Sequence, residues 1–91
     1  MILKITSKFK KDYERCKKRG LDLSLLQEVI RMLEKDIVLD AKYRDHALTG
    51  QYKGFRECHI QPDWLLIYSK DEKMLILTAV RTGTHSDLLK L

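Results

Sequence analysis

The sequence predicts an α+β domain in which a helical hairpin covers one face of a mainly antiparallel sheet. Three observations predict it. Residues 7–34 carry two successive amphipathic patterns divided by Gly20. Residues 55–81 carry three strand-like runs, "FRECHI", "WLLIYS" and "MLILTAVR", separated by the turn signals "QPD" and "KDEK". A further strand-like run, "MILKI", precedes the first helix. The order is β-α-α-β-β-β, which suits helices segregated to one face of a sheet.

Each element has a local reason. "MILKI" alternates weakly and is rich in Ile and Leu. Thr6 or Ser7 can cap the helix that follows. In that helix Phe9, Tyr13 and Cys16 fall at i, i+4 and i+7, while Lys8, Lys11, Arg15 and Lys18 project roughly opposite. Asp22 or Ser24 caps the second helix, whose apolar face is Leu26, Val29, Ile30 and Leu33. Residues 36–54 show no sustained period and read mostly as loop, a length usually tied to function or mobility. Pro62 cannot donate to a ladder, so it belongs to a turn. A short helix begun by Thr84 or Ser86 closes the chain. Trp64 reads as core.

The chain's 91 residues are expected to form one domain, 1–91. Its 44% hydrophobic and 34% charged content describes a globular protein. The longest apolar runs are far too short to span a membrane, and no leader pattern is visible, so a cytoplasmic location is expected. Cys16 and Cys58 have no metal-type spacing and read as small buried hydrophobes, with a disulfide disfavoured in a reducing compartment. Net charge is +5, and residues 1–20 hold eight of the 18 basic side chains against Asp12 and Glu14. The whole excess is therefore N-terminal. It suits a polyanion or an acidic partner, and it equally suits a solvated helix face.

The chemistry-bearing residues are few. His46, His59 and His85 are the histidines, and no HxxxH, CxxC or HExxH motif accompanies them. Nor is there a nucleophile elbow or a glycine-rich phosphate loop. Acid–base chemistry without a cofactor fits better. Strand alternation points Glu57, His59 and Gln61 one way and Cys58 and Ile60 the other. The Pro turn brings Asp63 close, setting carboxylates beside an imidazole. Arg81 adds a planar cation suited to phosphate, and two glycine-flanked loops can bring His46 and His85 to the same sheet edge. Such a set suits cleavage of RNA by its own 2′-hydroxyl, with a base, an acid and a cation in attendance.

"YRDHALTGQYKGFRECHIQPDWLLIY" and "RTGTH" closely resemble the YafQ-type toxins of bacterial toxin–antitoxin pairs, within the RelE superfamily of mRNA interferases. The resemblance is dense over Tyr43–Tyr68 and Arg81–His85. It implies a microbial-RNase-like α+β fold and ribosome-dependent mRNA cleavage that needs no metal. It also implies a cognate antitoxin whose DNA-binding part represses the operon, and no membrane. Carried over by position, the active-site histidines are His46, His59 and His85, and the second acidic residue is Asp63. Glu57 takes the first acidic position, one methylene longer than the aspartate of the pattern. Arg81 is the basic residue that serves the phosphate. The expected roles are His85 or His46 as general base, and His59, held by Asp63, as phosphate-orienting group or acid. Lys4, Lys8, Lys10, Lys11, Arg15, Lys18 and Arg56 form the expected RNA and ribosome surface. Leu89 falls where the family can carry a stacking aromatic. The competing classes are a non-catalytic toxin on the same scaffold, as in gyrase-poisoning relatives, and a simple nucleic-acid-binding module.

Overall fold

Thr6 joins the first strand to the first helix and serves both. Its hydroxyl accepts from Phe9 N at 2.9 Å, which caps the helix, and donates to Val80 O at 2.6 Å. The computed structural model describes residues 1–88. Strand β1 (Ile2–Ile5) leads into helix α1 (Ser7–Lys18), followed by α2 (Leu23–Glu34). Phe9 and Cys16 are buried on α1, and Leu26, Val29, Ile30 and Leu33 on α2, as the periodicity predicts.

Both helices end in the same way. Leu21 N returns to Cys16 O and Gly20 N to Lys17 O, a Schellman closure that needs the left-handed backbone of Gly20, φ 77°. Ile37 N and Asp36 N close α2 on Met32 O and Leu33 O. Asp36 takes φ 56° there, a conformation that Asp tolerates better than most residues.

The segment after α2 is more ordered than its aperiodic sequence suggests. It holds two short 3-10 turns, Ala41–Tyr43 and Gly50–Tyr52, and a two-residue strand β2 (His46–Ala47). β2 pairs antiparallel with β3 (Arg56–Gln61), setting His46 opposite Glu57. β4 (Trp64–Asp71) and β5 (Ile76–Gly83) follow, then a short helix α3 (His85–Leu88). The sheet therefore has five strands where the sequence indicates four, in the order β1-β5-β4-β3-β2. β1 runs parallel to β5, and the other pairs are antiparallel. The last hairpin also differs from expectation. Asp71 Oδ1 accepts from the amides of Lys73 and Met74, and Leu75 takes φ 56°, so Met74 and Leu75 are exposed and β5 starts at Ile76.

The sheet is apolar on both faces. Cys58, Ile60, Trp64, Leu66, Tyr68, Leu77 and Ala79 pack under the helices. Leu65 and Ile67 pack with Leu88 on the other face, beside Leu48, Tyr52, Phe55 and Val80. Both cysteines are free and buried, and burial pushes the Cys58 thiol up to about 12. Among the described residues, no helix is long and apolar enough to cross a membrane.

The helical layer is tied to the sheet by an acid that the charge pattern conceals. Asp12 lies on the buried stripe of α1, between Phe9 and Cys16, and is 1% exposed. Its Oδ2 accepts from Arg81 Nε at 2.6 Å and from Thr82 N at 3.2 Å, and its Oδ1 accepts from Arg81 Nη2 at 3.1 Å. Removing it strands a guanidinium and a buried amide. Asp12→Ala is expected to lower the unfolding free energy by about 3–5 kcal/mol, read from urea denaturation; a loss below about 1 kcal/mol would contradict this account.

Candidate active site

"RTGTH" is a chain of structural instructions that ends in a histidine. Arg81 is held by Asp12. Thr82 is fully buried; its hydroxyl accepts from Trp64 Nε1 at 2.9 Å and donates to Leu65 O at 2.7 Å. Gly83, φ 153°, has no room for a side chain: a Cβ would lie 2.8 Å from Asp87 Oδ2. Thr84 caps α3 reciprocally, accepting from Asp87 N at 3.1 Å while its own amide donates to Asp87 Oδ2 at 3.0 Å. Arg19, at the end of α1, then grips Asp87 with contacts of 2.7 and 3.2 Å. That grip, with the Thr84 bonds, holds the Asp87 carboxyl well below the usual carboxylate range. His85, the first residue of α3, is thereby fixed against the site face of the sheet.

There it meets the second motif. His85 Nδ1 and its backbone amide both donate to Asp63 Oδ1, at 2.7 and 3.1 Å. These bonds, side chain first, lower the Asp63 pKa. Asp63 therefore holds His85, not His59 as the strand-and-turn reading implies. The reason is the β-bulge between His59 and Gln61, which offsets the Pro turn from the β3 ladder. His59 Nδ1 donates instead to Pro62 O at 3.2 Å.

Glu57 and His59 share a face, as alternation predicts, and His46 joins them across the β2–β3 pair. Glu57 Oε1 stands 3.6 Å from His46 Nε2 and 3.7 Å from His59 Nε2. The His59 and His85 rings lie 5.8 Å apart, centre to centre. The Glu57 side chain is only 6% exposed, against 49% for His85. Among the described residues its Oε2 is buried without a hydrogen-bond partner. His46 Nδ1 donates to Arg44 O at 2.7 Å, so all three imidazoles give their Nδ1–H to a fixed acceptor. Three histidines and two carboxylates expected from sequence thus form one continuous cluster.

The expected cations are distributed differently. Arg81 lies against Asp12, and Arg56 donates to Asp45 at 3.2 and 3.4 Å. Asp45 also accepts from the Tyr68 hydroxyl at 2.5 Å, and this bond adds to burial in pushing the phenol above its usual range. The Asp45 trio pins β2 beside β3 and so positions His46. Arg15 pairs with Asp12 at 3.4 Å and Asp87 at 3.5 Å. Lys4, Lys8, Lys10, Lys11 and Lys18 are exposed, and Lys10, Lys11 and Lys18 border one open groove along α1. No hydrogen bond or ion pair among the described residues links these lysines to the histidines. Leu89 lies outside the described residues. Two basic residues that the sequence reading passed over, Lys42 and Arg44, line a cleft of about 400 Å³ beside His59.

The comparisons with known proteins point one way. A family described as "Bacterial toxin of type II toxin-antitoxin system, YafQ" matches residues 1–90. The curated mRNA interferase toxin YafQ of Escherichia coli strain K12 is 37% identical over 87 residues, covering 94% of this chain and 92% of its own. A copper-bound mutant toxin from Helicobacter pylori has a similar structure, with a TM-score of 0.90 at 42% identity over 97% of this chain and 98% of that one. The E. coli DinJ–YafQ toxin–antitoxin complex gives 0.86 at 37% identity, over 94% of this chain and 93% of its match.

The Asp87 clamp makes a stability prediction with a defined pH dependence. A carboxyl depressed on folding contributes stability that is fully present above its unfolded pKa of about 3.9 and is lost progressively as pH falls from there through the lower folded pKa. Asp87→Asn should therefore cost about 1–2 kcal/mol at pH 7, discounted for the exposure of its arginine partners. The gap from the parent protein should begin to narrow below about pH 4 and keep shrinking as pH falls toward the lowered folded pKa. Denaturation curves at pH 7 and pH 2.5 test this; an equal gap at both would refute the charge-based clamp.

Proposed function

The chain belongs to the YafQ family of type II toxin–antitoxin toxins, and we propose that its histidine–carboxylate cluster is the catalytic centre of an mRNA interferase. The observation that carries the proposal is Glu57, a nearly buried carboxylate flanked by two imidazoles and facing a third that a second carboxylate holds. The protein is a toxin that cleaves mRNA and is neutralised by a cognate antitoxin, as its E. coli relative pairs with DinJ. Residues 1–91 act as one toxin domain. The substrate makes the cytoplasm its place of action, and the ribosome presents the mRNA.

The geometry favours a particular division of roles. Glu57 Oε1 takes the proton of the 2′-hydroxyl, whose oxygen attacks the adjacent phosphorus. His85 gives its Nε2 proton to the departing 5′-oxygen, leaving a 2′,3′-cyclic phosphate and a free 5′-hydroxyl. Asp63, bonded to Nδ1, holds the ring so that the transferred proton sits on Nε2. With Glu57 as base, His46 stands beside His59, and the two, when they carry a proton on Nε2, meet the negative charge that develops on the phosphate oxygens. Arg81 acts through Asp12 in holding the end of β5. The lysines of β1 and α1 hold ribosomal RNA by phosphate contacts that position without reading sequence. A non-catalytic toxin would not need a buried carboxylate aligned with three ring nitrogens.

Glu57→Gln and His85→Ala should each slow cleavage about 10²–10⁴-fold, with Asp63→Asn losing less. The measurement is primer extension on an mRNA bound to programmed ribosomes, with naked RNA in parallel. A Glu57→Gln variant at full rate would remove Glu57 from the role of base. No cleavage by the parent protein under any condition would remove the nuclease reading itself.

A further inference from the structure

We infer that the cleft beside His59 is a subsite for the mRNA nucleotide on the 3′ side of the cut, where Arg44 grips a phosphate and Gln61 reads the base. The inference rests on the proposed nuclease reading of the neighbouring cluster and names how its substrate is held. The cleft, of about 400 Å³, lies between the first 3-10 turn, the end of β3 and the start of α2. Its volume is at the lower end of the range of ligand pockets and suits a single nucleotide. His59 belongs both to the cluster and to the cleft wall, so a chain bound at one runs directly into the other.

Two backbone features build the cleft. Arg44 follows the 3-10 turn with φ 49°, a left-handed conformation uncommon in a residue with a long side chain. Its surroundings hold it there. Asp40 Oδ1 accepts from Lys42 N at 2.9 Å, Arg44 N returns to Ala41 O at 3.0 Å, and Arg44 O accepts from His46 Nδ1. The residue that orients a histidine of the cluster thus also borders the cleft, and strain of this kind gathers at ligand sites. On the other wall, the β-bulge between His59 and Gln61 breaks the strand alternation, so that His59, Ile60 and Gln61 all line the cleft in succession.

The uncommitted groups fit a nucleotide. Among the described residues, Arg44 and Gln61 are bonded only through their backbones, and both are exposed. A guanidinium matches phosphate oxygens with paired N–H groups. A glutamine amide offers donors and an acceptor to the edge of an unpaired base. Tyr43, packed against the core, carries Lys42 Nζ 5.1 Å from its ring centre and so brings a second cation to the wall. The acid in the lining, Glu28, is paired with Arg31 at 3.2 Å. The direction of the RNA follows from the leaving group. His85 faces the departing 5′-oxygen, Asp63 holds His85, and Asp63 adjoins Pro62 in the cleft wall. The nucleotide that carries this oxygen is the one led toward the cleft.

The test uses full-length toxin freed of antitoxin and a short RNA with a 2′-deoxynucleotide at the mapped cut site, which binds without being cleaved. Fluorescence anisotropy over a salt series gives the affinity. Arg44→Ala should weaken binding about tenfold for every sequence and flatten the slope of log affinity against log salt by about 0.7. Arg44→Lys should keep the slope, and Lys73→Ala, outside the cleft, should change neither. Removing the base 3′ of the cut should weaken binding to the parent about tenfold but to Gln61→Ala by less than about twofold. On programmed ribosomes, the spread of cleavage rates among the four bases at that position should narrow in Gln61→Ala. Circular dichroism checks that each variant is folded. Parent-like affinity and salt slope in folded Arg44→Ala, or a base effect confined to the 5′ nucleotide, would overturn the subsite. An equal loss on base removal in parent and Gln61→Ala would overturn the reading role of Gln61. A parent protein that shows these binding effects yet never cleaves RNA would count against the nuclease reading instead.

Discussion

The carboxylate of Asp12 is the contact on which the rest of the structure depends. It is a charge in a nearly inaccessible position, and such a charge is tolerated only when it is fully bonded. Arg81 and the Thr82 amide supply those bonds and so fix the end of β5 against α1. Everything downstream inherits this placement. Thr82 satisfies the Trp64 indole, Gly83 passes beneath Asp87, Thr84 caps α3, and His85 arrives where Asp63 can hold it. A charged pair between the two layers thus sets the position of His85 on the opposite side of the sheet.

The same connection changes the meaning of the basic N-terminus. Counted as sequence, residues 1–20 are a cluster of cations. In the fold, Arg15 and Arg19 are bound to Asp87, and Arg15 also to Asp12. The end of α1 therefore anchors α3 and with it the site. The lysines of the same helix are left facing solvent. One helix divides its charges between holding α3 and presenting an open basic face.

The helices were legible residue by residue because a 3.6-residue period reports burial directly: Leu26, Val29, Ile30 and Leu33 are the buried face of α2. The strands from Arg56 onward were legible through alternation and turn residues. What was missed has a common cause. β2 has two residues and no period of its own; it exists because Glu57 and Arg56 pair with it and Asp45 ties it to Arg56 and Tyr68. Asp63's attachment to His85 depends on a bulge that no local pattern announces. Two signals were nevertheless present. Asp12 sits three residues after Phe9 and four before Cys16, on the apolar stripe. Thr84 and Asp87 have the spacing of a capping box. Membership of the cluster was readable from residue type and motif, whereas the identity of each residue's partner was a tertiary outcome.

The extra methylene of Glu57 gains a physical meaning from this geometry. Glu57 and His46 are directly opposed across β2 and β3, and His59 lies two residues along on the same face. The two imidazoles rise from the sheet on either side of the carboxylate. A glutamate carries its oxygens one carbon–carbon bond, about 1.5 Å, further from the strand than an aspartate would. That reach lets a single oxygen stand at nearly equal distances, 3.6 and 3.7 Å, from both Nε2 atoms.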